Sequence, residues 1–232
     1  MLVSITLGAL AFGLVYTSHT PANYVPQNIS MMQYSWQSET APTAPNAPTS
    51  IGLDRAESIA QQYLAAIHNP NLAIKEIMEF QYNFYIIYYE KDTGVGAFEM
   101  LIWKHTPTSG MMGGGMMGGY VAPGVMMPEP GPNMMWNTKY SPMSNGMMGY
   151  YGNQWSSTMA ISPDSAAQLA QAYLASNFNN AKVETATRFY GYYTFDFTVN
   201  GKIAGMLSVN GNTGQVWYHS WHGDFIQEVE FA

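Results

Sequence analysis

Two groups of side chains in this chain are of types that bind metals or make adhesive contacts. The first is a series of methionine pairs set between glycines and prolines: Met111-Met112, Met116-Met117, Met126-Met127, Met134-Met135 and Met147-Met148. Thioether sulfur is a soft, neutral donor suited to Cu(I), and a glycine-rich backbone lets paired sulfurs close shallow sites without strain. His105, at the root of this segment, can join them. Met is equally a flexible apolar side chain that fills irregular contacts, so the same residues suit a surface packed along a partner or along the chain's own domains.

The second group lies in Tyr218-His219-Ser220-Trp221-His222-Gly223-Asp224, where His219, His222 and Asp224 offer two imidazoles and a carboxylate to a metal. Residues three apart on a strand face opposite sides, so a shared ion requires a turn, which Gly223 permits. Without that turn they read as ordinary polar residues at the end of a sheet.

Between these groups, Pro128-Glu129-Pro130-Gly131-Pro132-Asn133-Met134-Met135-Trp136-Asn137-Thr138-Lys139-Tyr140 is less repetitive than its surroundings. Its prolines restrict the backbone ahead of two aromatic anchors. Met134, Met135, Trp136 and Tyr140 are therefore candidate protein-contact residues, or a cover for the edge of a sheet.

No GxSxG, HExxH, phosphate-cradling loop or dinucleotide fingerprint is present, and no acid and base pair can be proposed from spacing. The expectation is a protein that is not an enzyme. Glu76, Glu99 and Asp196 read as solvated strand residues, Asp196 because it lies between Phe195 and Phe197 in an alternating run.

The elements that must position these residues follow from periodicity. Ala56, Ile59, Ala60, Tyr63, Leu64 and Ile67 recur at helical spacing, with Asp54 as N-cap and Glu57 three residues on. Ile74 to Phe80, Tyr82 to Glu90 and Gly96 to Trp103 follow as strands, separated by turn signals such as Asp92-Thr93-Gly94.

The same order returns further on. Ser162-Pro163-Asp164 caps a helix bearing Ala166, Leu169, Ala170, Tyr173 and Leu174 on one face. Strands follow at Lys182 to Tyr190, Tyr192 to Val199, Lys202 to Val209 and Gln215 to His219, with Asn200-Gly201 as a two-residue hairpin signal. This is an internal repeat. The predicted fold is α+β: two repeated units, each a helix packed on a small antiparallel sheet, with an N-terminal apolar helix and an irregular Met/Gly/Pro-rich insert.

Each unit resembles a PepSY-type domain. The residues that carry the resemblance are the helix Ser165 to Ala175, the strand opening Lys182-Val183-Glu184, the hairpin Thr198-Val199-Asn200-Gly201-Lys202, and the ending Val209-Asn210-Gly211-Asn212-Thr213-Gly214-Gln215-Val216. The last is similar to that family's closing D-x-x-T-G-x-V pattern, with Asn210 where Asp is usual. The resemblance implies a binding or regulatory module of propeptides and membrane-associated extracytoplasmic proteins, with no catalytic residues to carry over. In the first unit the matching corner, Lys104-His105-Thr106-Pro107-Thr108, departs from the pattern and opens into the methionine-rich stretch.

Composition sets outer bounds. Charged residues make up 10% of the 232, with a net charge of −7 and eight Lys and Arg residues in all. No basic face is available for nucleic acid, and a surface so poor in ionisable groups suits an acidic exterior. The absence of cysteine removes disulfides, thiolate zinc sites, iron–sulfur clusters and cysteine nucleophiles.

Leu2 to Tyr16 form an uncharged, mostly apolar run. It reads as a signal-peptide core or as a membrane anchor, and either reading places the rest outside the cytoplasm. The expected organisation is thus a signal or anchor over residues 1–17, an extended linker over 18–50, a first PepSY-like domain over 51–109, the insert over 110–160 and a second PepSY-like domain over 161–232.

The function expected from these features is extracytoplasmic docking: a secreted or membrane-anchored accessory subunit that binds other protein subunits of a membrane or surface complex, and the membrane itself through residues 2–16 if these are retained. Copper binding or delivery through the Met pairs, and regulation of an extracytoplasmic peptidase, are the alternatives. No cofactor is expected other than that copper.

Overall fold

The structure is a computed structural model that describes residues 50–104, 123–141 and 158–231. The expected N-terminal helix and linker, His105, and Met111, Met112, Met116, Met117, Met147 and Met148 lie outside the described residues.

The first unit opens with α1 (Leu53–Ile67), followed by β1 (Leu72–Phe80), β2 (Asn83–Glu90) and β3 (Gly96–Trp103). The N-cap of α1 is Gly52, without a side-chain cap, rather than Asp54, which lies in the first turn where its charge opposes the helix dipole. His68 closes the helix in the left-handed conformation, φ 54°.

From the insert come β4 (Met126–Pro128) and the single turn α2 (Pro132–Met135). The second unit comprises α3 (Pro163–Asn177), β5 (Ala181–Arg188), β6 (Tyr192–Val199), β7 (Lys202–Asn210) and β8 (Val216–Tyr218), and β9 (Phe225–Glu230) follows. Ser162 caps α3 by accepting from the Ser165 amide at 3.2 Å, with Pro163 in the first turn. Asn200 and Gly201 both take positive φ, as a tight hairpin demands.

The strands make two antiparallel sheets, ordered β4-β3-β2-β1-β9 and β5-β6-β7-β8. Helix α1 covers the outer face of the first sheet, where Ala56 and Ala60, four apart and fully buried, let it approach Ile77, Phe84, Ile86 and Phe98. Helix α3 repeats this with Ala166 and Ala170 over Tyr193, Phe195, Phe197 and Leu207. The α+β class and the two repeated helix-plus-sheet units are therefore present.

What the repeat does not announce is that the two remaining sheet faces pack on each other. Met78, Phe80, Tyr85, Ile87, Leu101 and Trp103 of the first sheet meet Phe189, Tyr192, Met206 and Trp221 of the second unit in one apolar cluster. The result is four layers, helix, sheet, sheet, helix, with a closed seam at the centre. Among the described residues no helix is long and apolar enough to cross a membrane.

Two departures from the sequence expectation bear on function. Residues 161–232 are not all one unit, because β9 adds to the free edge of β1, pairing Ile77 with Val229 and Met78 with Glu228. The Glu79 carboxylate fixes that edge, taking Lys104 Nζ at 2.6 Å and Gln227 Nε2 at 2.6 Å. In addition, part of the insert is structural. Strand β4 pairs with β3, Leu101 opposite Met127, and covers the other edge of the first sheet.

Candidate functional site

Alternation along a strand decides what enters the seam between the sheets. On β3, Phe98, Met100 and Ile102 turn to α1, so Glu99 turns inward with Leu101 and Trp103. On β6, Tyr193, Phe195 and Phe197 turn to α3, so Tyr192, Thr194 and Asp196 face the first sheet. Glu99 and Asp196 are thus not solvated strand residues: a polar residue between apolar ones marks the other face, and that face is buried.

Glu99 is fully buried and anchors a polar network. Its Oε1 accepts from Tyr85 Oη at 2.5 Å and Thr194 Oγ1 at 2.8 Å, and its Oε2 from Tyr192 Oη at 2.6 Å. Burial, helped by the nearby Glu129 carboxylate, pushes the Glu99 carboxyl up to about 8 despite these donors and His219. Asp196 is also pushed up to about 8 by burial, and its Oδ1 has no hydrogen-bond partner.

Thr194 Oγ1 lies 2.9 Å from Ser208 Oγ, and Ser208 Oγ lies 3.0 Å from His219 Nε2. The other nitrogen of His219, Nδ1, is 3.1 Å from Glu129 Oε1, and His222 Nε2 reaches the same oxygen at 3.1 Å. Both approach outside hydrogen-bond alignment, leaving His219 Nδ1, His222 Nε2 and Glu129 Oε2 buried without hydrogen-bond partners. His222 Nδ1 meets Asn83 Oδ1 at 2.8 Å, and Trp221 Nε1 donates to Glu129 Oε1 at 3.2 Å. Burial lowers both imidazoles, His219 to about 4.

A turn brings the two histidines to one side. His219 follows β8, and Gly223, at φ 75°, reverses the chain so that Tyr82 and Gln81 amides donate to the His222 and Asp224 carbonyls at 3.1 and 2.7 Å. The carboxylate they share is Glu129 of the insert, not Asp224, whose backbone alone takes part in this turn. Glu129 is held by its own amide, which donates to Glu99 O at 3.0 Å, and by Asn133, whose Oδ1 and Nδ2 bracket the Glu99 backbone at 3.1 and 2.9 Å.

Most of the other described insert residues anchor it. Met126 and Met127 point to opposite faces of their strand, Met126 Sδ 3.9 Å from Tyr88 Oη and Met127 Sδ 3.1 Å from Trp103 Nε1, so as a pair they do not offer one ion two sulfurs. Met134 is partly buried and Met135 is 61% exposed. Trp136 packs edge-on against Trp217 at 5.8 Å, and Tyr140 lies between Phe98 and Tyr190. Both aromatic anchors therefore dock on the chain itself.

Their dock is Glu90, at the end of β2. Its buried carboxylate takes Lys139 Nζ at 2.5 Å, Tyr190 Oη at 2.6 Å, Thr93 Oγ1 at 2.9 Å and the Tyr140 hydroxyl. Burial alone would raise this carboxyl, but those four donors outweigh it and hold it below the usual range. One side chain thus clasps the insert, the first sheet and the second unit. Glu90→Gln keeps the shape but gives up the ion pair with Lys139, and should cost about 1–3 kcal/mol of stability by denaturant unfolding. Proteolytic cleavage within 105–157 should speed up in parallel, and unchanged cleavage would show that the clasp does not hold the insert.

No family model matches this chain, and no curated protein matches it. Among solved structures it is similar to the Bacillus megaterium YpeB C-terminal domain, at 14% identity and a TM-score of 0.23, over 73% of this chain and 62% of that one. The match spans less than two thirds of that chain's length, and a likeness this slight carries no weight for fold or function.

Proposed function

We propose that this chain is a non-enzymatic interaction protein, an extracytoplasmic accessory subunit that docks onto a membrane or cell-surface assembly through its methionine-rich insert. The observation that carries this reading is where the insert is pinned. Residues 123–141 are built into the fold by β4, the Asn133 bracket and the Glu90 clasp. The described residues that flank 105–122 and 142–157 are therefore fixed, and Met135 is exposed between them in sequence.

Two methionine-rich segments held at both ends on one body lose less freedom on binding than a free tail would, which favours a contact made by soft apolar side chains. The two units are read as PepSY-like domains, a reading supported by a helix laid across each antiparallel sheet and by the Asn200-Gly201 hairpin.

The experiment is a comparison of native assemblies. Serine at Met111, Met112, Met116, Met117, Met135, Met147 and Met148 should leave the unfolding temperature unchanged but abolish co-migration with a larger complex in mild detergent extracts of the source membrane. A wild-type chain that migrates as a lone monomer in those extracts sinks the proposal.

A further inference from the structure

The proton positions around Glu129 can be worked out one donor at a time. His219 Nε2 lies 3.0 Å from Ser208 Oγ, whereas its Nδ1 has no hydrogen-bond partner, so the neutral ring keeps its hydrogen on Nε2, where an acceptor stands, and a lone pair on Nδ1. Thr194, whose hydroxyl faces Glu99 Oε1, leaves Ser208 able to donate to Thr194 and accept from His219.

The second ring follows from Asn83. That amide donates Nδ2–H to the Trp221 carbonyl at 2.9 Å, which turns Oδ1 towards His222. His222 must donate from Nδ1, and its Nε2 carries the lone pair. The two orphaned nitrogens and Glu129 Oε1 are thus three acceptors aimed at one another, at 3.1 Å for each nitrogen–oxygen pair. Lone pairs so placed repel unless a cation lies among them.

We propose that Glu129, His219 and His222 form a structural site for a divalent first-row metal ion, with zinc as the ion it fits best. One donor atom from each of the three lies within 4.8 Å of the others. Donors 2.0–2.1 Å from a tetrahedral zinc ion lie about 3.3 Å from one another, close to the 3.1 Å of each nitrogen–oxygen pair, and the two nitrogens lie within 4.8 Å of one another. Glu129 Oε2, buried and unpartnered, supplies a fourth donor if the carboxylate binds through both oxygens.

The outer shell is already in place. Each imidazole donates its far N–H to a fixed acceptor, Ser208 or Asn83, the arrangement that orients metal-bound histidines. The rings are also held flat by stacking, His219 on Trp221 at 4.9 Å and His222 on Phe80 at 4.4 Å. All three side chains are essentially inaccessible, 0–1% exposed, so the site has no place for a substrate and its role is to tie the insert to both sheets. The donor set is nitrogen and oxygen, distinct from the thioethers of the insert.

The test uses the full chain, stripped by chelator dialysis and titrated with zinc chloride and cobalt chloride. One zinc per chain should bind with a dissociation constant of micromolar or below, and raise the unfolding temperature progressively, with the logarithm of free zinc above that constant. Cobalt should give the visible absorption of a four-coordinate ion. Glu129→Gln and His222→Gln, checked for fold by circular dichroism, should weaken binding at least 100-fold, while Met135→Leu should bind as the parent does. Should a variant not fold, the zinc dependence of the wild-type unfolding temperature decides alone. Absence of stoichiometric binding by the stripped wild type, or equal binding by folded Glu129→Gln, overturns the proposal.

Discussion

Glu129→Ala should lower the unfolding free energy by about 3–5 kcal/mol, whereas Glu129→Gln should cost less than about 1 kcal/mol in metal-free protein. Alanine removes the carboxylate on which His219, His222 and Trp221 converge, leaving the Trp221 indole N–H unpaired in a buried cavity between the sheets. It also frees the centre of the insert from the second unit.

Glutamine behaves differently. Its carbonyl can still accept from Trp221, and its amide can donate to an imidazole lone pair that faces an acceptor in the parent. Equilibrium unfolding in chelator, comparing both variants with the wild type, measures the difference. If Ala and Gln cost the same, the seam is held by packing alone and the polar cluster adds little.

A second large effect should appear as pH rises. Glu99 and Asp196, both raised to about 8, keep their protons in the fold at pH values where the unfolded chain has released them, near 4.5 and 3.8. Through that window the folded state holds more protons, so each contributes stability that is full at low pH and is lost as pH climbs to about 8. His219 and His222 act in the opposite sense. Their lowered values mean that the unfolded chain takes up protons first, so stability falls as pH drops below 6.5.

The two effects offset each other in mild acid, and above pH 6.5 the carboxyls act alone. Stability should therefore decline between pH 6.5 and 8 by about 1 kcal/mol per pH unit for each group. Facing Asp196 are Glu76, Glu184 and Glu228, which add to the effect, and Lys75, which opposes it. Facing Glu99 are Glu129, His219 and the Tyr85 and Tyr192 hydroxyls. Denaturant unfolding of metal-free protein from pH 5 to 9 reads the slope, which Glu99→Gln with Asp196→Asn should flatten. A stability that rises across pH 6.5–8 would refute the assignment.

The repeat was legible because helical periodicity, a Ser-Pro start and the Asn-Gly turn are local signals, and each of these formed where its residues stand. The seam was not legible. An alternating strand tells only that two faces differ, and Glu99, Thr194, Asp196 and Ser208 read equally well as facing water or as facing another sheet. His219 and His222 could be paired from sequence because Gly223 lies beside them. Glu129 could not, since its partners lie about 90 residues downstream. The available signal was a lone acid between Pro128 and Pro130 in an otherwise uncharged stretch. That Met126 and Met127 diverge was not legible either, because it follows from their lying in a strand, which the pairing in sequence conceals.

The addition of β9 to β1 has a consequence for how the protein comes into being. The partners Ile77 and Val229 are about 150 residues apart, so during synthesis the first sheet cannot be completed until nearly all of the described chain has emerged. Until then β1 presents an open hydrogen-bonding edge, a hazard for pairing with the wrong chain. Lys75 and Glu76 in the middle of the strand provide charge against such pairing while it waits. Assembly is thereby timed by the downstream unit: its arrival closes the edge and, in the same event, delivers His219 and His222 to Glu129.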